Sequence, residues 1–258
     1  MSRELLLIGI GAGDPDWITL EAVRAIGRLD VLFVVVKQDE LDDLVQARRD
    51  VIARHREAPL RLVELHDPPR PWRTAPDYHA AVARWRAQRL AQWTAAVTDT
   101  LGEGQVGGFL VWGDPGLFES TLAIADELVA DAPATSPISL RVIPGISSAL
   151  ALAARHRIPV NRQGKAVQIS PARLLQDGFP DGIDDVIVML DGRQTFATID
   201  PTGLDIYWGA YLGTPEEILI SGPLADVRDG IVAVRAEAAE RVGWMFDTYL
   251  LRRSGEAR

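Results

Sequence analysis

Three short glycine-containing segments carry the residues best suited to bind a ligand. Residues 9–15 read Gly-Ile-Gly-Ala-Gly-Asp-Pro, residues 113–115 read Gly-Asp-Pro, and residues 144–148 read Pro-Gly-Ile-Ser-Ser. Each follows an apolar run, and glycine lets the backbone approach a ligand closely because it has no side chain. Asp114 can pair with a cationic group. Each segment taken alone is explained at least as well by an ordinary turn.

The first segment must be compared with the dinucleotide-binding fingerprint, in which three glycines bring a helix N-terminus against a pyrophosphate. Its sixth position is Asp14, where the fingerprint needs glycine or alanine, and a carboxylate there opposes a bound phosphate. The second apolar run ends at Val36 and Lys37, without an acidic residue to hold a ribose. A nicotinamide-dependent reductase is therefore disfavoured.

Ser147 and Ser148 have two interpretations. Either serine can cap the helix that follows, by accepting a hydrogen bond from a backbone N–H. Either can instead face a ligand. For one serine taken alone, capping is the favoured interpretation.

The segments that must position these turns alternate between strand and helix. Apolar runs typical of buried strands occupy residues 4–10, 31–36, 60–65, 108–112 and 140–143, and helical spacing occupies residues 17–29, 41–55, 78–101 and 120–130. Uninterrupted β-branched runs are typical of a parallel sheet covered on both faces. They predict an α/β fold with a mostly parallel, five-stranded N-terminal sheet.

The second half of the chain has a different pattern. After a helix at residues 147–156, the strand-like runs lie closer together and have fewer long helices between them. This pattern predicts a mixed sheet in a second α/β domain. The predicted domains are residues 1–145 and 146–258.

Composition excludes several classes of function. The chain has 258 residues and a formal net charge of −9, which disfavours nucleic acid as a partner. It contains no cysteine, and its four histidines lack metal-ligand spacing, so we expect no metal centre. The start of the chain has only a short apolar run and no signal-peptide pattern. We therefore expect a cytoplasmic protein without membrane attachment.

Taken in order, the three glycine segments closely resemble those of the tetrapyrrole methylase family. The resemblance covers the whole chain and continues in residues 186–192 and 213–217, where family members have a strand ending near the cofactor and a threonine-rich turn. Residues 156–162, 207–215 and 243–253 are similar to the branch of that family that methylates precorrin-5.

The resemblance implies two α/β domains with S-adenosylmethionine in the cleft between them, usually in a homodimer. Carried over by motif, the cofactor-binding residues are Trp112, Gly113, Asp114, Leu117, Phe118, Ser147, Ser148, Leu190, Asp191, Tyr211 and Leu212. This chain departs from the commoner family pattern at two of these positions. Asp191 stands where many relatives have methionine, and Leu212 where many have a small residue.

For this branch the resemblance implies methylation of precorrin-5 at C1 of the macrocycle, with loss of its acetyl group as acetate and formation of S-adenosylhomocysteine. Methyl transfer mainly requires alignment. Deacetylation requires water to add to the acetyl carbonyl, which a general base assists. We hypothesise that Asp247 or His156 assists this water and that Tyr249 donates a proton. A helix-end role for His156 and a structural-acceptor role for Asp247 are the alternative interpretations.

The carboxylates of such a substrate suit bidentate contact with arginine. The candidate residues, among which the sequence does not choose, are Arg70, Arg73, Arg155, Arg157 and Arg162. Whether the proline-rich segment around Trp72 closes over the macrocycle is open.

Two other functions also stay open. The same scaffold can methylate a different precorrin or a non-tetrapyrrole acceptor, because one fold serves many substrates. A non-catalytic binding module is the second alternative. Product analysis tests the first alternative, and S-adenosylmethionine binding tests the second.

Overall fold

A computed structural model of the chain describes residues 2–36, 42–69, 76–242 and 245–255. The chain divides into two compact units. Unit 1 contains Met1–Gly11 and Pro15–Ile146, and unit 2 contains Ala12–Asp14 and Ser147–Arg258. Within the described residues, no helix combines the length and apolar character needed to span a bilayer.

Unit 1 is built on the five-stranded parallel sheet that the sequence predicts. Its strands are β1 (Arg3–Gly9), β2 (Val31–Val36), β3 (Arg61–His66), β4 (Val106–Val111) and β5 (Ile138–Ile143). They lie in the order β3-β2-β4-β1-β5, so β1 pairs with both β4 and β5. Leu5 and Leu7 belong to one hydrophobic core, Leu6 and Ile8 to another, and all four are fully buried. Burial on both faces explains the continuous apolar runs.

Capping residues set where the helices of unit 1 begin. The described helices are α1 (Leu20–Arg28), α2 (Asp42–His55), α3 (Tyr78–Thr100) and α4 (Thr121–Ala130). Helix α1 starts three residues later than predicted, because the Thr19 side chain accepts a hydrogen bond from Ala22 N at 3.1 Å. Asp77 caps α3 in the same way. Leu41 and Lys37, which the sequence analysis also used, lie outside the described residues.

Unit 2 contains the mixed sheet that the sequence predicts. Its strands are β6 (Val167–Pro171), β7 (Asp185–Met189), β8 (Leu204–Ala210), β9 (Ile218–Pro223) and β10 (Asp247–Arg253). They lie in the order β6-β7-β10-β8-β9, with β6 parallel to β7 and β10 antiparallel to both β7 and β8. The last residues of β7 and β8 and the first residue of β10 therefore lie at one end of the sheet. We call it the Leu190 end, after the residue that follows β7.

Two α-helices are described in unit 2, α5 (Ser148–His156) and α6 (Leu224–Val242), with 3-10 helices at Ala172–Leu175 and Thr195–Ala197. The sequence analysis did not predict α6, which has 19 residues. Its buried residues, Leu224, Ile231 and Ala238, lie seven positions apart. So narrow an apolar stripe leaves little helical periodicity in the sequence.

Candidate cofactor and active site

The glycine segments after β1 and β4 lie side by side at Gly11 and Gly113 in unit 1. Gly113 donates its N–H to Gly11 O at 2.8 Å, and Gly11 donates to Gly113 O at 3.2 Å. A β-carbon at Gly145 would lie 2.1 Å from Gly113 O and 2.8 Å from the carbonyl carbon of Gly9, so only glycine fits. The three segments thus meet at the carboxyl ends of β1, β4 and β5, where open α/β sheets bind ligands.

Asp114 joins two of these segments through its side chain. Its Oδ1 accepts a hydrogen bond from Gly116 N at 2.7 Å, and its Oδ2 accepts one from Gly145 N at 2.9 Å. The sequence suggested that this carboxylate pairs with a cation. In the structure each of its oxygens accepts a backbone N–H, so Asp114 fixes the local shape of both turns.

The two serines differ in their structural role. Ser147 is the N-cap of α5, and its Oγ accepts a hydrogen bond from Leu150 N at 3.4 Å. Ser148 is the first residue of the helix and is half-buried. The capping interpretation is therefore confirmed for Ser147.

Strained backbone is concentrated at predicted cofactor-binding residues. Phe118, Leu190 and Tyr211 have φ angles of 52°, 58° and 50°, in the left-handed region that non-glycine residues rarely adopt. Such a conformation costs about 1–2 kcal/mol per residue. Phe118 and Leu190 also expose 44% and 64% of their surface although they are apolar. Local strain of this kind is typical of ligand-binding sites.

The predicted residues of unit 2 lie together at the Leu190 end of its sheet. Leu190 and Asp191 follow β7, and Tyr211 and Leu212 follow β8. Asp247, the first residue of β10, pairs with Ala210 just before Tyr211. The structure therefore brings together four predicted cofactor-binding residues and one predicted catalytic residue.

Leu212 and Gly13 are packed closely within unit 2. A β-carbon at Gly13 would lie 2.3 Å from Leu212 O. The Leu212 side chain is itself buried.

In unit 1, the predicted residues Trp112 and Leu117 lie on either side of Gly113 in the sequence and are half-buried.

Asp247 is an almost fully buried carboxylate with two side-chain partners. Arg235 Nε on α6 lies 2.9 Å from Asp247 Oδ2, and Trp208 Nε1 donates to the same oxygen at 3.0 Å. The Asp247 side chain is 4% exposed. Burial raises the pKa of the Asp247 carboxyl, and the Arg235 guanidinium opposes that increase. These contacts agree with the alternative interpretation of Asp247, in which its carboxylate is a structural hydrogen-bond acceptor.

Tyr249 lies two residues further along β10 and is fully buried. Its hydroxyl donates to Asp191 Oδ2 at 2.7 Å. Burial, with the negative charge of Asp191, raises the pKa of the Tyr249 phenol. Its proton is therefore held firmly and is directed at Asp191.

His156, at the end of α5, is half-buried and has one ring nitrogen in a hydrogen bond. Its Nε2 lies 3.0 Å from Trp208 O. A carbonyl oxygen only accepts, so Nε2 carries the proton and Nδ1 is the basic nitrogen of the neutral ring. Burial lowers the pKa of His156 below 6.5, which favours this neutral form at pH 7.

The candidate arginines are not equivalent. Arg155 pairs with Glu217 at 2.5 Å, and Arg162 pairs with the fully buried Asp185 at 3.4 Å. Arg157 is exposed and has a left-handed backbone, with φ 55°. The other two candidate arginines, Arg70 and Arg73, lie outside the described residues, as does Trp72 of the proline-rich segment.

The sequence analysis missed two residues of the Leu190 end, Arg235 and Thr195. Arg235 also donates to Asp191 O at 3.0 Å, and Thr195 donates twice to the Asp191 carboxylate. Arg235 is one of many charged residues on a helix that was not predicted, so no local signal marks it. A better signal is Asp191 itself, since an acidic residue directly after a buried strand needs nearby donors.

Comparison with known proteins places this geometry in a family. Residues 4–228 match the family described as Tetrapyrrole (Corrin/Porphyrin) Methylases. Precorrin-6A synthase [deacetylating] from Sinorhizobium sp is 42% identical over 256 residues, which cover 98% of this chain and 97% of that protein.

Two solved structures are similar over nearly the whole chain. The cobalamin synthesis related protein CobF from Corynebacterium diphtheriae superposes with a TM-score of 0.83 at 28% identity, covering 99% of this chain and 100% of that one. Uroporphyrin-III C-methyl transferase from Thermus thermophilus, complexed with S-adenyl homocysteine, shares the fold with a TM-score of 0.59 at 18% identity, covering 96% and 92%. With its glycine segments and both sheets matched in this way, the chain belongs to the tetrapyrrole methylase family.

Proposed function

We propose that this chain methylates precorrin-5 at C1 with S-adenosylmethionine and releases acetate, giving precorrin-6A and S-adenosylhomocysteine. The observation that carries the proposal is the 42% identity to precorrin-6A synthase [deacetylating], which extends over 98% of the chain and so includes both units. Because a fold serves many substrates, the residues of the site must also suit the two chemical steps.

Cofactor binding is supported by the strained, exposed apolar residues. Leu190 and Phe118 expose apolar side chains on left-handed backbone, and such surface suits the hydrophobic parts of a small ligand. The proposed cofactor-binding residues are Trp112, Gly113, Asp114, Leu117, Phe118, Ser147, Ser148, Leu190, Asp191, Tyr211 and Leu212. For Asp114 and Asp191, whose carboxylates hold their own turns, we propose contact through the backbone.

Methyl transfer depends on orientation. When bound, S-adenosylmethionine supplies a methyl group on a sulfonium, a leaving group that needs no protein nucleophile. The hydrogen-bonded turns at Gly11, Gly113 and Gly145 have few alternative conformations and suit a positioning role. Proximity and orientation contribute up to about 7–11 kcal/mol in ideal intramolecular reactions.

Deacetylation requires water to add to the acetyl carbonyl, after which the carbon–carbon bond breaks, its electron pair passes to the ring and acetate leaves. We assign the general base of this step to His156, which accepts the water proton at Nδ1. Its half-buried ring and lowered pKa suit that role at neutral pH. Asp247 and Tyr249 are the other candidates, but their described hydrogen bonds occupy Asp247 Oδ2 and the Tyr249 hydroxyl, whereas that of His156 is at Nε2 and not at Nδ1, so His156 is preferred.

Arg157 is the favoured contact for a substrate carboxylate among the described candidate arginines. Arg155 and Arg162 are already in ion pairs, whereas Arg157 is exposed. Its left-handed position at the end of α5 is one where glycine is normally preferred, so an arginine there costs conformational energy. A contact with substrate gives a reason for that cost.

The proposal includes a homodimer and a cytoplasmic location, as expected from the sequence. Sedimentation equilibrium of the purified protein measures the first, and cell fractionation measures the second. A monomer at micromolar concentration or a membrane-bound fraction contradicts these two parts without affecting the proposed reaction.

The decisive experiment incubates the purified protein with precorrin-5 and methyl-labelled S-adenosylmethionine. Mass spectrometry then follows label in the macrocycle and released acetate, with an incubation lacking precorrin-5 as the control. We expect one labelled methyl group per acetate. Cofactor binding without turnover of precorrin-5 would overturn the substrate and favour a different acceptor, whereas no cofactor binding would overturn the methyltransferase proposal.

A further inference from the structure

Arg235 makes two hydrogen bonds that connect separate parts of the Leu190 end. Its Nε pairs with Asp247 Oδ2 at 2.9 Å, and its Nη2 donates to Asp191 O at 3.0 Å. The side chain is 12% exposed, so both bonds lie in a largely dry environment. Charge-assisted hydrogen bonds of a guanidinium are strong and directional there.

Asp191 is the centre of the loop that carries Leu190. Its carboxylate accepts hydrogen bonds from Arg193 N at 3.1 Å, from Thr195 N at 2.7 Å and from Thr195 Oγ1 at 3.0 Å. The Tyr249 hydroxyl supplies a further donor. The loop thus folds around this carboxylate, while the carbonyl of the same residue is held by Arg235. Leu190, directly before it, is locked in a left-handed conformation.

The other bond of Arg235 reaches the turn after β8. Asp247 accepts from Trp208 Nε1 at 3.0 Å and pairs in the sheet with Ala210. Tyr211 N then donates to Phe246 O at 2.8 Å, directly before Asp247. Displacement of Asp247 therefore shifts the backbone that precedes Tyr211.

We propose that Arg235 is a positioning residue for S-adenosylmethionine, which holds the Leu190 and Tyr211 turns in their binding positions through Asp191 and Asp247. This inference rests on the proposed function, because it assumes that those turns bind the cofactor. Arg235 acts through these two aspartates and has no assigned contact with the reacting atoms. It therefore affects cofactor affinity more than the maximal rate.

A purely structural role makes a different prediction, and Arg252 provides the matched control. Arg252 Nε pairs with Asp185 Oδ1 at 2.6 Å, and its side chain is 9% exposed. Asp185 is the first residue of β7 and Arg252 lies near the end of β10, so this pair is at the opposite end of the same sheet. Each arginine pairs with one buried aspartate, and Asp185 has a second partner in Arg162, but only Arg235 contacts residues of the predicted cofactor turns.

The test compares Arg235→Met with Arg252→Met, because methionine retains much of the aliphatic volume and removes the donors. The melting temperature reports stability, calorimetry with S-adenosylhomocysteine reports affinity, and steady-state assays give kcat and KM for S-adenosylmethionine. We expect both variants to melt at lower temperature than the wild type. Only Arg235→Met should show a dissociation constant and a KM raised about tenfold or more, with kcat within about twofold of the wild type.

Equal affinities in the two folded variants and the wild type would overturn the inference, as would equal losses of affinity in both variants. If Arg235→Met does not fold, Arg235→Lys replaces it, because a lysine neutralises Asp247 without the planar fork that reaches both acceptors. An affinity loss in Arg235→Lys supports the inference, and wild-type affinity overturns it. A wild-type protein that binds no S-adenosylhomocysteine overturns the proposed function instead.

Discussion

The Tyr249 hydroxyl lies 2.7 Å from Asp191 Oδ2, at a position where Tyr249 is fully buried and Asp191 is 4% exposed. The pair joins β10 to the loop after β7. A hydrogen bond from a buried phenol to a carboxylate has no water to replace it, so its removal has a measurable cost.

Tyr249→Phe should therefore destabilise the protein by about 1–3 kcal/mol, because it removes one donor from a buried carboxylate. Denaturant titration of wild type and variant measures the change in the free energy of unfolding. Tyr207→Phe is the control, since Tyr207 is only half-buried and no hydrogen bond of its hydroxyl is described. A change of equal size in both variants would contradict the assignment of the effect to Asp191.

Gly145→Ala should be strongly destabilising. Its new β-carbon would lie 2.1 Å from Gly113 O, a backbone atom that moves only if the turn moves. We expect a loss of about 3 kcal/mol or more in the free energy of unfolding, measured by denaturant titration. Gly27→Ala is the matched control, because Gly27 lies in α1 with nothing within 4 Å of an added β-carbon. That variant should be stabilised by up to about 1 kcal/mol from helix propensity.

Leu190→Gly should raise stability while lowering cofactor affinity. Glycine relieves the left-handed strain at φ 58°, which adds about 1 kcal/mol, and little burial is lost because Leu190 is 64% exposed. Loss of the apolar side chain should weaken S-adenosylhomocysteine binding, which calorimetry measures. Gln194→Gly also relieves left-handed strain in the same loop, but Gln194 is not a proposed cofactor contact. Unchanged affinity in Leu190→Gly would remove Leu190 from the binding site.

Burial of His156 should make the protein less stable as the solution becomes more acidic. Burial lowers the pKa of His156 from 6.5, so the folded state disfavours the protonated ring. The stability that this group contributes is present above pH 6.5 and is lost as the pH falls through the folded-state value. The free energy of unfolding should therefore fall more steeply between pH 7.5 and pH 5 in the wild type than in His156→Gln. Parallel pH curves would show that burial does not affect this titration.

The same variant tests the proposed general base. His156→Gln keeps an N–H that can donate to Trp208 O but has no basic nitrogen. We expect acetate release to fall about a hundredfold, with the dissociation constant of S-adenosylhomocysteine unchanged. Asp247→Asn is assayed in parallel, because Asp247 is the alternative base. Normal acetate release from His156→Gln together with a loss in Asp247→Asn would transfer the role to Asp247.

The sequence predicts the fold well where apolar runs are long. Strand β1 is buried on both faces, so its sequence is a continuous apolar run that can be recognised as a strand without knowledge of its neighbours. Helix α6 cannot be recognised from the sequence in this way, because its buried residues occupy only one position in seven. The start of α1 was misplaced because apolar spacing begins before Thr19, whereas the cap determines where the helix begins.

The site is predictable to the extent that its residues are close in sequence. The glycine segments are recognisable because each is a short local pattern. The Arg235 contacts join residues 12 and 44 positions apart, and nothing in either local pattern indicates the partner. Arg162 illustrates the same difficulty. It is a candidate substrate contact by its sequence, but it pairs with Asp185, 23 residues away, and that ion pair is a structural role.

The position of β1 between β4 and β5 has a consequence for synthesis in the cell. Its partners β4 and β5 begin at Val106 and Ile138, so the first strand leaves the ribosome long before either neighbour exists. At a translation rate of about 5–20 residues per second, that interval is on the order of ten seconds. During this time an apolar strand with unpaired backbone groups is exposed to other nascent chains. A lower rate of expression, or co-expression of holdase chaperones, should therefore improve the soluble yield.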